Sequence, residues 1–206
     1  ILLSQQNNIT IKNMKITTFH TGIYVGWSSK VSIFENNITA NSGYGIFLSF
    51  SSTNVISGNN IINNSCGIYL YESAGNSIVR NMFTDDGLVV SSSYGNVVED
   101  NFVNGKPLVY LEGMSGINVE NAGQVILINC DSLNVENLNL SHTDIAIQLW
   151  NTTNTKIFGN SITNNYNGGM LVINGGILIS RSSKNIISGN NIINNDYGMF
   201  LHESSN

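Results

Sequence analysis

The sequence predicts an all-β fold, a right-handed single-stranded parallel β-helix with about 22 residues per coil and about nine coils. Two observations predict it. A short block of alternating apolar residues recurs along most of the chain, and an asparagine follows each block at a fixed spacing. The composition also suits turns and strands, since only 10% of the residues are charged and there is one proline.

Each copy of the repeat begins with a small residue and two alternating apolar residues. Serine, asparagine and further apolar residues follow at constant offsets. An asparagine lies 14 residues after the first position, as with Gly45 and Asn59, whereas adjacent copies start 20 to 23 residues apart. The copies start at Gly22, Gly45, Gly67, Gly87, Ala146, Gly176 and Gly198. Constant strands joined by one turn of variable length explain this pattern.

The blocks are too short for stable helices, and their alternation places the apolar residues on one face of a strand. One coil cannot bury that face alone, but stacked coils can. We therefore expect an internal ladder of Ile, Leu and Val. The recurring asparagines should form a second ladder that satisfies the turn backbone, at Asn36, Asn59, Asn81, Asn101, Asn160 and Asn190. We expect the glycine that opens each copy to adopt a backbone angle that other residues resist.

The pattern covers residues 1–206 and predicts a single β-helix domain. Two segments break the period, near 104–116 and 164–175, and we expect both to be insertions that project from one edge of the solenoid. Because the pattern opens and stops in mid-coil, we expect the chain to be a piece of a longer protein.

The motif Gly-Ile-x-Leu-x-x-Ser-x-x-Asn-x-Ile-x-x-Asn-x-Ile resembles the parallel β-helix repeats of archaeal and bacterial surface proteins. These include the NosD-type repeats and the carbohydrate-binding and sugar-hydrolase ("CASH") repeats. Residues 104–110, 122–127 and 137–140 resemble a segment of archaeal members. The resemblance implies a β-helix with a pectate-lyase-like fold and an extracellular or cell-surface location. It leaves function open, because such repeats occur in lyases, hydrolases, epimerases and a copper-site maturation factor.

Charge and hydropathy exclude two classes of partner. The net charge is −5 and no basic run is present, so nucleic acid is not an expected partner. No apolar run reaches the roughly 18 residues of a membrane helix, so no membrane insertion is expected within this segment. Polysaccharides and other surface proteins remain as partners, and the coil ends could pair end to end or laterally with other copies.

Aromatic residues recur at offsets that point outward from the predicted coils. Tyr24, Phe47 and Tyr69 share one offset, Trp27 and Phe50 share another, and Trp150 lies on a later coil. Such a strip is either a platform for sugar rings or a packing ladder within the sheet. The first hypothesis is therefore a non-catalytic extracellular module, structural or carbohydrate-binding, of a cell-surface protein.

The second hypothesis is an enzyme similar to polysaccharide lyases or hydrolases. Its site would lie on the edge with the insertions, where the polar and aromatic candidates are Lys106, Tyr110, Glu112 and Tyr166. Two carboxylates close together at that edge would favour it. No catalytic cluster is evident in the sequence, and an enzyme is the less favoured hypothesis.

The third hypothesis is a NosD-like copper-handling protein, which would need His and Met side chains to converge. The three histidines fall on different coils, and the two cysteines have neither metal spacing nor a disulfide framework. Calcium at the turn acids is unsupported, because no Gly-Gly-x-Gly-x-Asp repeat is present. No cofactor is expected. If the chain is extracellular, glycans could be attached at the sequons of Asn8, Asn37, Asn63, Asn139 and Asn151.

Overall fold

The computed structural model describes residues 1–166 and 175–205. Its regular structure consists of short β-strands that pair in parallel, and the described residues contain no helix. The chain forms two compact units. Among the described residues, unit 1 is Ile1–Gly105 and unit 2 is Lys106–Tyr166 with residues 175–205. The prediction of a parallel β-solenoid with coils of about 22 residues is confirmed.

Unit 1 contains three stacks of parallel strands. The first stack is β1 (Leu2–Ser4), β4 (Thr21–Gly26), β7 (Tyr44–Ser49), β10 (Cys66–Tyr71) and β13 (Leu88–Ser91). The second is β2 (Thr10–Lys12), β5 (Ser32–Phe34), β8 (Val55–Ser57), β11 (Ser77–Val79) and β14 (Val97–Glu99). The third is β3 (Lys15–Thr17), β6 (Asn37–Thr39), β9 (Asn60–Ile62), β12 (Met82–Thr84) and β15 (Phe102–Val103). One strand from each stack makes one coil.

Unit 2 repeats the arrangement. Its long strands are β16 (Lys106–Glu112), β18 (Gln124–Ile128), β21 (Ile145–Trp150), β24 (Gly175–Ser180) and β27 (Tyr197–His202). A second stack holds β17 (Asn118–Val119), β19 (Asn134–Glu136), β22 (Lys156–Phe158) and β25 (Ile186–Ser188). The third holds β20 (Asn139–Ser141), β23 (Ser161–Thr163) and β26 (Asn191–Ile193).

Like residues lie beside like residues on neighbouring coils of each unit. In unit 1 Ile46 pairs with Ile68 and Leu48 pairs with Leu70, and all four side chains are fully buried. The inward positions of β4, β7 and β10 thus form a continuous apolar column. Since each coil contributes only a thin layer, burial of these side chains depends on the coils above and below.

The opening glycines are needed for a different reason than the sequence suggested. Gly45 and its counterparts do not have a positive φ, so that expectation is wrong. Instead, a Cβ atom at Gly45 would lie 2.6 Å from the carbonyl oxygen of Gly67, and one at Gly22 would lie 2.7 Å from that of Gly45. The glycines therefore allow two coils to approach closely at the bend that begins each long strand.

Asn59 shows how the asparagine ladder works. Its Oδ1 accepts hydrogen bonds from the backbone N–H and the Nδ2 of Asn36, both at 3.0 Å. Its Nδ2 donates to the carbonyl oxygens of Ile33 and Ser57 and to Oδ1 of Asn81. Asn81 and Asn101 repeat this pattern in unit 1, and Asn160 and Asn190 repeat it in unit 2. Each buried amide thus satisfies turn backbone that no strand can reach.

Unit 1 contains three further ladders of the same kind. Serine hydroxyls accept turn N–H groups in one, as Ser51 does from Ser28. In the other two ladders, asparagine side-chain oxygens accept the turn N–H groups: Asn76 accepts from Asn54, and Asn64 accepts from Asn41. The last ladder continues to the buried carboxylate of Asp86, which accepts from the N–H and Nδ2 of Asn64. The sequence predicted one ladder, although the repeat also held the serine and the other asparagine.

The expected insertion near 104–116 is not a projecting loop. Residues 106–112 form β16, which pairs in parallel with β18, so that Val109 lies beside Val125. The interval between these partners is shorter than a full coil, because only the short strand β17 lies between the two long strands. Strand β16 lacks the opening glycine of the repeat, and the sequence pattern therefore did not predict it. Most of the other expected insertion, 164–175, lies outside the described residues, and single-domain organisation stays a prediction.

We predict that Asn59→Ala destabilises the protein by about 1–3 kcal/mol, because it leaves the buried N–H of Asn36 without its acceptor. Urea unfolding followed by circular dichroism measures the change. The neighbouring Asn60 is exposed on β9 and offers a matched control, for which Asn60→Ala should change stability by less than about 0.5 kcal/mol. Equal effects of the two substitutions would contradict a structural role of the ladder.

Candidate functional site

Seven aromatic side chains lie on β4, β7 and β10 of unit 1 or immediately after these strands. We call this surface the aromatic wall; it consists of Tyr24, Trp27, Tyr44, Phe47, Phe50, Tyr69 and Tyr71. The register of the sheet brings the rings together, since Tyr24 pairs with Phe47 and Phe47 pairs with Tyr69. Five of these residues were predicted as binding candidates, and the structure places them on one surface.

The inner row of the wall is a stack of nearly parallel rings. The centroids of Phe47 and Tyr69 are 5.1 Å apart with planes at 17°, and those of Tyr44 and Tyr69 are 5.7 Å apart at 16°. Tyr44 was not among the candidates; its signal was its position directly before the opening glycine. Burial raises the pKa of Tyr44 to about 12, with smaller contributions from Cys66 and Tyr69. Burial also raises the pKa of Tyr69, whose hydroxyl is hydrogen-bonded to Ser91. Both phenols stay neutral at physiological pH.

The outer row is the exposed part of the wall. The rings of Trp27 and Phe50 stack at 5.4 Å and 9°, and Tyr71 meets Phe50 edge-on at 5.5 Å. The exposed fractions are 56% for Trp27, 45% for Phe50 and 36% for Tyr71. Trp27 and Phe50 occupy the left-handed backbone region, with φ of 47° and 49°, at the corner after their strands. Such a conformation is costly for a bulky residue, and the pairing of neighbouring coils on both sides holds it in place.

Trp150 belongs to a separate cluster in unit 2. The guanidinium of Arg181 lies 5.0 Å from the centroid of the Trp150 ring, and its Nε donates to Oε2 of Glu203 at 2.6 Å. The hydrogen bond from Arg181, followed by the positive charge of its guanidinium, lowers the pKa of Glu203. Sequence reasoning missed this ion pair, because its partners are 22 residues apart and meet only when the coils stack.

Of the four enzyme candidates, Tyr110 and Glu112 contact each other. Lys106 Nζ donates to the carbonyl oxygen of Asn139 at 2.8 Å, and Tyr110 donates to Oε2 of Glu112 at 2.8 Å. Tyr166 is exposed at the end of the first described segment. Within the described ranges, no three His, Cys, Asp or Glu side chains come together as metal ligands would. The sequon asparagines, Asn8, Asn37, Asn63, Asn139 and Asn151, are all exposed.

Asp131 is a turn acid with a structural role. Its carboxylate accepts hydrogen bonds from Thr153, Asn154 and Ser132 at 2.6–2.7 Å. These donors lower the pKa of Asp131, with the bond from Thr153 contributing most. The carboxylate therefore stabilises the corner of its coil and the next.

Two family models match the chain. The model described as "Periplasmic copper-binding protein (NosD)" matches residues 1–118, more than half of the sequence. The chain belongs to the NosD family. The model described as "Right handed beta helix region" matches residues 76–206, which confirms the right-handed fold class. A search of curated proteins found no match.

Solved structures with a similar arrangement include DFA-IIIase from Arthrobacter chlorophenolicus A6. The C387A mutant is 14% identical at a TM-score of 0.44, covering 95% of this chain and 48% of that one. The same mutant in complex with DFA-III is 14% identical at a TM-score of 0.43, and the match covers 88% of this chain and 45% of that one. Bacteriophage CBA120 tailspike protein 2 is 12% identical at a TM-score of 0.28, and the match covers 92% of this chain and 37% of that one. The NosD-family chain thus spans about half the length of the first of these proteins.

Among the described residues, the His, Cys, Asp and Glu side chains do not form a copper site. All three histidines and both cysteines lie within the described residues, and they form no group of ligands there. Cys130 occupies the serine position of a ladder, where its Sγ donates to the carbonyl oxygens of Leu111 and Ile128. Burial raises the pKa of that thiol, which disfavours the thiolate that binds metals. Cys66 is also buried, next to Tyr44 on the neighbouring strand.

The family description is periplasmic, which supports a location outside the cytoplasm. In the part of the chain that the structure describes, no helix has the length and apolarity to span a membrane.

We predict that the purified chain retains no stoichiometric copper. Titration with Cu(I) in competition with a chromophoric chelator, and with Cu(II) followed by dialysis and metal analysis, should leave less than one equivalent bound. The matched control is Cys130→Ser, which places at this ladder position the residue found at Ser51 and Ser182. It should behave like the native chain in both titrations. One tightly held equivalent that Cys130→Ser abolishes would show that the thiol is a ligand.

Proposed function

We propose that this NosD-family chain is a non-catalytic carbohydrate-binding β-helix module that acts outside the cytoplasm, at the cell surface. The observation that carries the proposal is the aromatic wall of unit 1, with the exposed rings of Trp27, Phe50 and Tyr71. A polysaccharide is the proposed partner, and the rest of the solenoid is the rigid support of this surface.

Aromatic rings suit sugars because a pyranose ring has an apolar face of C–H groups, which is attracted to the negative face of a π-system. Grouped exposed aromatic residues on a soluble protein mark a binding surface more often than isolated ones do. The rings of the wall are already ordered by mutual stacking, so binding would cost little side-chain entropy. Two partly exposed residues on the same strand stack, Thr21 and Ser91, are uncharged and polar, and their hydroxyl groups can pair with sugar hydroxyls.

Neither of the two carboxyl groups with a lowered pKa suits the role of a glycosidase general acid. A glycosidase general acid needs a raised pKa. The pKa values of Asp131 and Glu203 are instead lowered, by donors to Asp131 and by the Arg181 ion pair at Glu203. Both carboxylates are also occupied by these partners. The enzyme hypothesis at Lys106, Tyr110, Glu112 and Tyr166 gains no support from the contacts of these residues: Lys106 donates to the backbone of Asn139, and Tyr110 donates to Glu112.

The binding test uses cellohexaose and chitohexaose as neutral probes and pectin and alginate as acidic ones. Binding is measured by calorimetry and by the fluorescence of Trp27 in a Trp150→Phe background, which removes the second tryptophan. We predict that Trp27→Ala and Phe50→Ala each weaken binding about tenfold, as expected for central aromatic contacts. Phe102→Ala changes a comparably exposed ring on β15, away from the wall, and should bind like the native chain.

A reducing-end assay on the same four carbohydrates accompanies the binding test. New reducing ends from any of them would overturn the non-catalytic part of the proposal. If no carbohydrate binds, or if Phe102→Ala weakens binding as much as Phe50→Ala, the aromatic wall is not the carbohydrate site.

A further inference from the structure

Tyr24 departs from the stacking of the other inner rings. The planes of Tyr44 and Phe47 lie at 16° and 17° to that of Tyr69 and at 33° to each other, whereas the plane of Tyr24 makes an angle of 73° with that of Phe47 at a centroid distance of 5.4 Å. Tyr24 pairs with Phe47 in register, so the backbone places it for the same stack. Something local therefore turns its ring.

The local cause is Gly26, two residues later on β4. A Cβ atom at Gly26 would lie 2.6 Å from Oη, 2.7 Å from Cε1 and 2.8 Å from Cζ of Tyr24. The ring thus leans along its own strand and occupies the space above Gly26. On the next coil the matching position is Ser49, which carries a Cβ and is buried. Phe47 stacks on its neighbours instead of leaning along its strand.

The direction of the lean fixes the orientation of the ring. The stacked rings face one another along the coil axis, so their planes lie across it. A ring turned by 73° from these planes, with its long axis along the strand, lies roughly parallel to the sheet. One face of Tyr24 then covers the backbone and the other points away from the sheet. Tyr44 and Tyr69 of the stack are almost fully buried, whereas Tyr24 stays partly exposed.

We propose that Tyr24 is the sugar-stacking residue of the aromatic wall and that Gly26 is the positioning residue that holds its face outward. This inference rests on the proposed carbohydrate-binding function and names the part of the wall that contacts a pyranose ring. A neutral sugar fits best, because the ring offers dispersion and C–H contacts and carries no charge. Trp27 and Phe50 extend the contact beside it.

The decisive substitution is Gly26→Ala. Gly26 lies in a strand without a positive φ, and the atoms that the new methyl group would meet are the far end of the mobile Tyr24 side chain. The ring should therefore turn toward the stack while the fold persists. We expect an unchanged urea midpoint and about tenfold weaker binding of cellohexaose or chitohexaose, whichever the native chain binds.

Two variants at Tyr24 separate the ring from its hydroxyl group. Tyr24→Ala should weaken binding at least as much as Gly26→Ala, and Tyr24→Phe should bind like the native chain. NMR of ¹³C-labelled tyrosine rings, recorded before ligand is added, reports ring position: Gly26→Ala should shift the Tyr24 signals, through the ring current of Phe47. A merely structural role of Gly26 would not move these signals at constant stability.

The outcomes are distinguishable. Loss of binding in Phe50→Ala with native binding in Tyr24→Ala and Gly26→Ala would overturn this inference and leave the proposed function intact. Native binding in Gly26→Ala despite shifted Tyr24 signals would show that ring orientation does not matter. Failure of the native chain to bind either hexasaccharide would overturn the neutral-sugar assignment, and failure with all four probes would remove the proposed function itself.

Discussion

The hydrogen bond from a turn N–H on one coil to a side-chain oxygen on the next is the constraint on which the structure depends. Strands satisfy each other's backbone, but at each corner the residue that follows the left-handed one donates its N–H to a side chain of the neighbouring coil. Asn59 accepts this bond from Asn36, and Ser51 accepts its equivalent from Ser28. A chain with many corners and few charges can fold because its side-chain amides and hydroxyls accept the N–H groups that the strands leave unpaired.

The same bonds set the register of the outer surface. Since Asn36 must meet Asn59 and Asn59 must meet Asn81, a coil cannot slip by one residue without losing the ladder. Phe47 is therefore held beside Tyr69, and the turn that follows holds Trp27 beside Phe50. The close approach at Gly45 tightens this stacking. The asparagine ladder thus fixes the register that stacks the rings, and the core holds the aromatic wall in place.

The period of the sequence was sufficient to predict the fold, the coil length and the asparagine positions, because these repeat and stack. What the sequence could not show depends on contacts without a repeat. The strand at Lys106–Glu112 pairs in parallel with β18 but has no opening glycine. The Arg181 and Glu203 pair forms only between stacked coils. The orientation of Tyr24 depends on a side chain that Gly26 lacks, and the tight approach at Gly45 depends on the distance between two coils. Each of these features depends on the three-dimensional arrangement of neighbouring coils, which the repeat pattern does not contain.

Membership of the NosD family is compatible with the lack of a His, Cys, Asp and Glu ligand cluster in the described part of the chain, because the family pattern describes the solenoid frame. The positions that define the repeat are the inward apolar residues and the capping amides, and these are buried and already paired. Even a potential metal ligand becomes part of the frame when it falls on such a position: Cys130 replaces a ladder hydroxyl and donates to two carbonyl oxygens. Function must therefore lie on outward positions, which the repeat leaves free. In unit 1 those positions hold the aromatic rings on which the proposed carbohydrate binding rests.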